Sequence, residues 1–499
     1  MLLGVISLIK VIFALLPLIS ILLMLFVLKK SSIFTGSTAI LMTAAIAISP
    51  IFHSSTDVLS TPFIKGFLTT SLVAYILFFG IFLFHLMEKA GAIQKIASFI
   101  STSTNDRVYQ ILILALGLSP LIEAISGFGL AIIVIAPILI ALGFHPVQSA
   151  LIALISLCII PWGTLAMGTI IGATLANIPL ASLGIASAAM CMPIYIYFAF
   201  LVVFIGVGKK AVKEKFLSIL FIGLLLGGSV FICNLYGSVE LAGIFGSLTV
   251  IAASFWMMNR KIKKSSVETP KDLIKNLSPY LLLITLLFIS RMVLPLKDFL
   301  SAWTITSSTF NYQFSPLYAP GFFLIIVCIY SIAIFHINRT AILDSITLTI
   351  KKCSPVILTT FLYIVVSEIM SQSGMINVLS VAAAQAFGYY FVLLTPIIGA
   401  IGGFLTGSNT ASNTMFIRLQ TATAQQIGIS PLLAASAQNV SSSLMTMVNP
   451  SRVALSCSVC QIGEWENNIQ KKLAFVGAGT LLLIVIEIAI IVVFKLNLQ

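Results

Sequence analysis

Charge is what this sequence has least of. Asp, Glu, Lys and Arg make up 8% of its 499 residues, against roughly 25% in an average soluble domain. With 14 acids and 27 bases it cannot cover a water-facing surface of that size. Most of the surface must meet lipid, which excludes a soluble enzyme, a nucleic-acid binder and a disordered scaffold. Histidine is scarce too. His53, His85, His145 and His336 are scattered, and no H-E-x-x-H, G-x-S-x-G or P-loop pattern occurs. That removes the usual signs of an intramembrane metal or serine hydrolase or of a nucleotide-driven machine, so no enzyme activity, metal or other cofactor is expected. Only 4 Trp accompany 35 Phe, which fits lipid-facing helices. The 7 cysteines fall almost entirely inside apolar runs, where they serve as small core residues rather than disulfides. Cys457 and Cys460 spell C-x-x-C but lack the polar setting and second ligand pair of a redox or metal site.

What is abundant is apolar: 59% hydrophobic residues and a mean hydropathy of +1.14. Spanning helices need about 20 such residues. The clear candidates are 11–28, 33–51, 66–87, 182–207, 216–234, 238–258, 277–296, 319–336, 355–371 and 473–494. The first reads as a retained helix, because Lys29–Lys30 and another span follow it and no small-residue cleavage site does. The net charge of +13 sits in short basic blocks between these runs, the pattern of cytoplasmic loops. Lys29–Lys30, the group from Glu88 to Arg107, Lys209–Lys215, the stretch 260–275, and Arg339 with Lys351–Lys352 are assigned inside. The stretches 52–64, 297–318 and 372–376 fall outside.

Two halves emerge. Met87–Ile93 closes one span and Met370–Ile376 closes another, each with a glycine at the fifth position, Gly91 and Gly374. Gly143-Phe-His-Pro146 returns as Gly428-Ile-Ser-Pro431. The charge map puts Gly91 inside and Gly374 outside, so the pattern recurs with opposite sidedness, as in transporters built from inverted repeats with broken helices. The expected fold is an all-α integral membrane protein of roughly 12–14 transmembrane helices, with broken or re-entrant helices in two inverted repeats. The expected division is N-terminal helices at 1–65, a first repeat at 66–208, intervening helices at 209–354 with a cytoplasmic basic linker at 259–276, and a second repeat at 355–499.

Four segments carry polar or helix-breaking residues where a plain span would carry Leu or Val. In 118–137, Glu123 stands three residues before Ser126-Gly127-Phe128-Gly129. Unwound backbone is tolerated at membrane depth only where it lines a cavity or is buried in protein, and a carboxyl there must be protonated, paired or hydrated. Glu123 is therefore a candidate proton-coupling group, or a packing carboxyl bonded to a neighbour. In 158–175, Pro161-Trp-Gly-Thr164 marks a turn, while Gly168 and Gly172 suit close helix packing; Thr164 and Thr169 offer hydroxyls. In 402–420, Gly407, Ser408, Asn409, Thr410, Ser412 and Asn413 form a polar cluster. A helix starting near Ser408 would aim free N–H groups at an anion, or Ser408 is a plain N-cap. Arg418, further along, is a counter-charge or snorkels to the cytoplasmic side. In 438–456, Ser441–Ser443, Thr446, Asn449, Pro450 and Arg452 mark another break, and a guanidinium there suits a carboxylate. Glu368 reads as interfacial and Glu487 as paired between helices.

"GFLTGSNTASNTMFIRLQTATAQQIGIS" closely resembles a stretch of bacterial L-lactate permeases. "EAISGFG" resembles their Glu-containing glycine motif, and "GFHPVQSALIALISLCIIPWGTLAMG" is similar to the segment that follows it. The resemblance implies a multi-pass protein of the bacterial inner membrane, a symporter of short 2-hydroxy monocarboxylates such as lactate or glycolate, driven by protons. It implies a transport site near Glu123, Ser408, Asn409, Thr410, Ser412 and Asn413. Departures occur at Ala131, Cys158, Leu165 and Thr446, where the family pattern has Pro, Asn, Gly and Lys. Arg452 is expected to restore the cation lost at Thr446. The expected substrate-binding residues are Ser126, Gly127, Gly129, Thr164, Gly407, Ser408, Asn409, Thr410, Ser412, Asn413, Thr446, Asn449 and Arg452, with Glu123 as the proton-coupling group. Na⁺ in place of the proton, another small organic anion, or an anion channel are the alternatives. The expected partners are the carboxylate, the coupling ion and lipid, with no nucleic acid.

Overall fold

Apolar runs become helices in a computed structural model of the chain, which describes residues 2–54, 57–127, 129–258, 270–310 and 312–494. The first are α1 (Leu2–Leu22), α2 (Ser32–Ile48) and α3 (Asp57–Lys89), followed by a short α4 (Ala92–Ser103). Next come α5 (Arg107–Ser126), α6 (Leu130–Ala141), α7 (Pro146–Ile155), α8 (Gly163–Ala176) and α9 (Leu180–Gly206). The middle of the chain forms α10 (Phe216–Tyr236), α11 (Ala242–Met258), α12 (Pro270–Met292) and α13 (Pro320–Ile334). The last part forms α14 (Arg339–Gln372), α15 (Met375–Phe387), α16 (Phe391–Thr406), α17 (Asn409–Gln426), α18 (Pro431–Met445), α19 (Pro450–Val459) and α20 (Glu466–Val493). Local chemistry sets many of the starts. Asn338 and Ser408 accept backbone N–H bonds as N-caps, and His145 with Gln148 closes a capping box ahead of Pro146.

Among the described residues, 10 helices are long and apolar enough to cross a bilayer. The count is up to 11 with the pair Pro146–Ile155 and Ile160–Ala176, bent by 55°. This is fewer than the 12–14 expected. Helices that stop at a break are short, such as α6, and α17 carries too many amides and hydroxyls to count as apolar. Two further departures from the expected pattern lie outside the spans. The polar stretch 297–318 holds a two-stranded antiparallel ladder, β1 (Ile305–Ser307) against β2 (Tyr312–Phe314), so the chain is not wholly helical. Of the basic linker, 259–269 lies outside the described residues, and Pro270–Asn276 forms the first turns of α12.

All four interrupted segments are breaks. The first separates α5 from α6 at Gly127–Gly129, the second lies between α7 and α8, the third is at Gly407 and the fourth at Thr446–Asn449. Matching elements follow one another in the same order in both parts of the chain. A long helix (α3, α14) ends at a left-handed glycine, Gly91 with φ +68° and Gly374 with φ +79°. Then come a short helix, a broken pair, a second left-handed glycine (Gly143, φ +82°; Gly428, φ +71°), another broken pair and a long closing helix. The two parts interlock: α3 packs on α14, α8 on α17, α6 on α19 and α9 on α18. α5 is buried on all sides, so the first break sits in the core of the bundle rather than against lipid.

Candidate functional site

Glu123 lies on the last turn of α5 and is 1% exposed. One turn on, Gly127 adopts φ +62° and Gly129 φ +74°, which ends the helix. A Cβ on Gly127 would overlap Oγ1 of Thr164, so glycine is required there for both conformation and space. The break frees the N–H groups that open α6. The Gly129 N–H donates to the Glu123 carboxylate, 3.2 Å from each oxygen. The acid thus fills the anion position at a helix N-terminus within its own chain. Ser126 is less free than expected: its hydroxyl donates to the Ile122 carbonyl of the same helix.

The second break is strained. Thr164, Leu165 and Ala166 take consecutive left-handed conformations, with φ +41°, +53° and +65°. Each costs about 1–2 kcal/mol for a residue with a Cβ. All three are buried, so packing holds them there. This turn follows the break at which the chain bends by 55° after α7, and it sets Thr164 against Gly127.

Gly407, with φ +63°, ends α16, and Ser408 caps α17 by accepting from the Ala411 N–H. The first N–H groups of α17 have no intrahelical acceptor. They belong to Asn409 and Thr410, which line the same cavity as Glu123. In the fourth break Asn449 caps α19 and donates to the Phe404 carbonyl. Arg452 then turns back into the bundle at 7% exposure. Its Nη1 stands 3.7 Å from Glu123 Oε1, and its Nη2 donates to the Gly407 carbonyl at 2.9 Å. One guanidinium therefore touches the breaks of both halves.

These residues enclose a cavity of about 40 Å³, lined among others by Glu123, Gly127, Thr164, Ser408, Thr410 and Arg452. A water occupies about 30 Å³, so the site is narrow in this conformation. A cavity of about 290 Å³ adjoins it, sharing Val356, Thr360 and Ser408 and reaching Ser31–Ile33. Ser412 and Asn413 lie one turn deeper, in a buried amide network. Asn439 accepts from Asn409 and Asn413 and donates to Thr169 and Ser187, while Gln438 donates to Ser412 and Asn413. Thr446 is not brought to the cavity; it is fully buried and donates to the Ser443 carbonyl.

Some important groups escaped sequence reasoning. Gln438 and Asn439 are amides within an apolar stretch, a signal that was available. Lys352 adds a second positive charge to the surroundings of Glu123 and Arg452. Of the two roles expected of Arg418, the contacts fit the counter-charge. It pairs with Glu368 and donates to the Leu175 and Ser367 carbonyls, at the end assigned to the outside. Glu487 does not find the expected partner: its Oε2 is buried without a hydrogen bond among the described residues.

The family model for L-lactate permease matches residues 10–315 and 300–497. The chain belongs to the L-lactate permease family. It is accordingly a transporter rather than an enzyme, and a multi-pass protein of the bacterial cytoplasmic membrane. An L-lactate permease of Streptococcus iniae is 26% identical over 374 residues, covering 72% of this chain and 79% of that one. Glycolate permease GlcA of Escherichia coli is 25% identical over 440 residues, covering 77% and 78%. In fold, the transporter is similar to the YdaH transporter of Alcanivorax borkumensis, whose crystal structure is described as having an unusual topology. The TM-score is 0.53 at 15% identity, over 99% of both chains. In this transporter Glu123 and Arg452 face each other between the breaks.

Proposed function

We propose that this transporter carries a short 2-hydroxy monocarboxylate, L-lactate or glycolate, in symport with a proton, and that Glu123 is the coupling group. The observation that carries the reading is the Glu123 carboxylate itself. It rests on the Gly129 N–H and faces Arg452, in a buried break where a substrate carboxylate would find the same donors. Ionised, Glu123 competes with substrate for that cradle. Protonated, it has no charge to hold Arg452, and the guanidinium is free for the incoming carboxylate. The N-terminal turn of α17, with Ser408, Asn409 and Thr410, offers polar groups on the opposite wall for the 2-hydroxyl. Ser412, Asn413 and Asn449 hold that wall in place. Proton and anion then load together, and the loaded site is closer to neutral than either partial load.

The equivalent order of elements, with paired left-handed glycines, supports inverted repeats at 66–208 and 355–499. Residues 1–65 and 209–354 would supply the surrounding helices. Alternating access around the breaks follows from such an arrangement.

The test is transport in proteoliposomes with lactate, glycolate, pyruvate and dicarboxylates. Wild type should accumulate the 2-hydroxy acids against their gradient when a pH gradient is imposed. Glu123→Gln should lose that accumulation and keep counterflow of labelled substrate. Accumulation that follows a Na⁺ gradient alone, or is unchanged in Glu123→Gln, overturns proton coupling at this residue. Flux without counterflow would favour a channel.

A further inference from the structure

A cavity larger than the one at the breaks lies elsewhere in the bundle. A vestibule of about 680 Å³ lies at the end assigned to the outside, with Lys65, Glu368 and Arg418 in its wall. Lys65 comes from α3, Glu368 from α14 and Arg418 from α17. The two bases share one acid, since Glu368 pairs with Arg418 through Oε1 and stands 4.0 Å from the Lys65 ammonium through Oε2. The cluster carries one positive charge more than it neutralises.

The two cations are not equivalent. Arg418 is committed. Its Nε donates to the Leu175 carbonyl near the C-terminal end of α8, its Nη1 to the Ser367 carbonyl and its Nη2 to Glu368, so one side chain ties three helices together. Lys65 has three donors and, among the described residues, one ion-pair partner at the outer limit of contact. Its side chain is 32% exposed, against 18% for Arg418. Thr69, Asn177, Thr421 and Gln425 put hydroxyls and amides on the same wall.

We propose that this vestibule is an access site for the transported carboxylate, where the incoming anion pairs with Lys65 in competition with Glu368. It rests on the reading that the cargo is a small carboxylate. Glu368 holds the place of the substrate's carboxylate, while Arg418 keeps the floor rigid. A positive cleft raises the local concentration of anions and the rate of their arrival, and the gain falls with added salt. The site serves one face of the membrane only.

Two substitutions at one ion pair separate this from a structural clamp. Purified protein in oriented proteoliposomes is assayed for the KM of external substrate at low and high ionic strength. Lys65→Gln should raise KM by about 3- to 10-fold at low salt, converge on wild type at high salt and leave Vmax intact. Lys65→Arg should keep the wild-type KM. Glu368→Gln, which keeps an acceptor for Arg418, should lower KM. A clamp would move Lys65→Gln and Glu368→Gln in the same direction, because both break the same contact. Shifts of one sign, or an unchanged KM and salt dependence in Lys65→Gln, overturn the proposal. Whether wild type carries lactate or glycolate tests the substrate reading separately. The ratio of variant to wild-type KM, for whichever small carboxylate is carried, tests the vestibule.

Discussion

Arg452 bridges Glu123 and Gly407, standing 3.7 Å from the carboxylate of the first and donating to the carbonyl of the second at 2.9 Å. The charge and the carbonyl belong to different halves of the chain. One side chain thus ties the geometry of the first break to that of the third.

Removing the cation should expose the cost of the acid. Arg452→Ala leaves Glu123 buried without its partner, and breaking such a pair from one side typically costs about 3–5 kcal/mol. The double variant Arg452→Ala with Glu123→Gln should recover much of that loss. Thermal unfolding in detergent for the wild type, both single variants and the double variant measures the coupling. Uptake should be lost in Arg452→Ala; unchanged uptake and affinity would rule out Arg452 as the replacement cation.

The strained turn predicts a sign reversal. Alanine to glycine within a helix normally destabilises by about 1 kcal/mol. Ala166 has φ +65°, where glycine pays no steric penalty. Ala166→Gly should therefore be neutral or stabilising by about 1 kcal/mol, read as a melting temperature equal to or above that of wild type.

Gly127 should behave in the opposite way. Gly127→Ala meets both an unfavourable φ of +62° and the Thr164 hydroxyl. Pairing it with Thr164→Ala removes the overlap but not the backbone strain. The double variant should recover part of the lost stability and retain a deficit of about 1–2 kcal/mol.

Asn439 is the hub of the buried amides, bonded to Asn409, Asn413, Thr169 and Ser187. Asn439→Leu leaves several of these without a partner, at about 1–3 kcal/mol for each group stranded. Expression and thermal stability should fall sharply. Ser443→Ala, one turn along the same helix, deletes only a bond to the Asn439 carbonyl and should cost about 1 kcal/mol or less.

The sequence located the spans to within a turn or two in most cases: 182–207 against Leu180–Gly206, and 216–234 against Phe216–Tyr236. It also located all four breaks. Both are local matters. Twenty apolar residues in a row have few alternatives in lipid, and Ser-Gly-Phe-Gly or Val-Asn-Pro cannot continue a helix. It left the partners of Arg418 and Lys352 open, because a charge in an apolar run says how costly its burial is, not which neighbour offsets the cost.

Pairing is where tertiary structure took over. Glu123 and Arg452, or Arg418 and Glu368, lie on helices whose mutual position no short-range signal encodes. Thr446 and Asn449 share a break, yet one packs away from the cavity and the other caps α19. The amino-acid order by itself determined where the helices must open and which polar groups would be left there. Only the packed bundle decided which of those groups meet, because an unpaired donor or charge in a low-dielectric interior takes the partner that folding brings within reach.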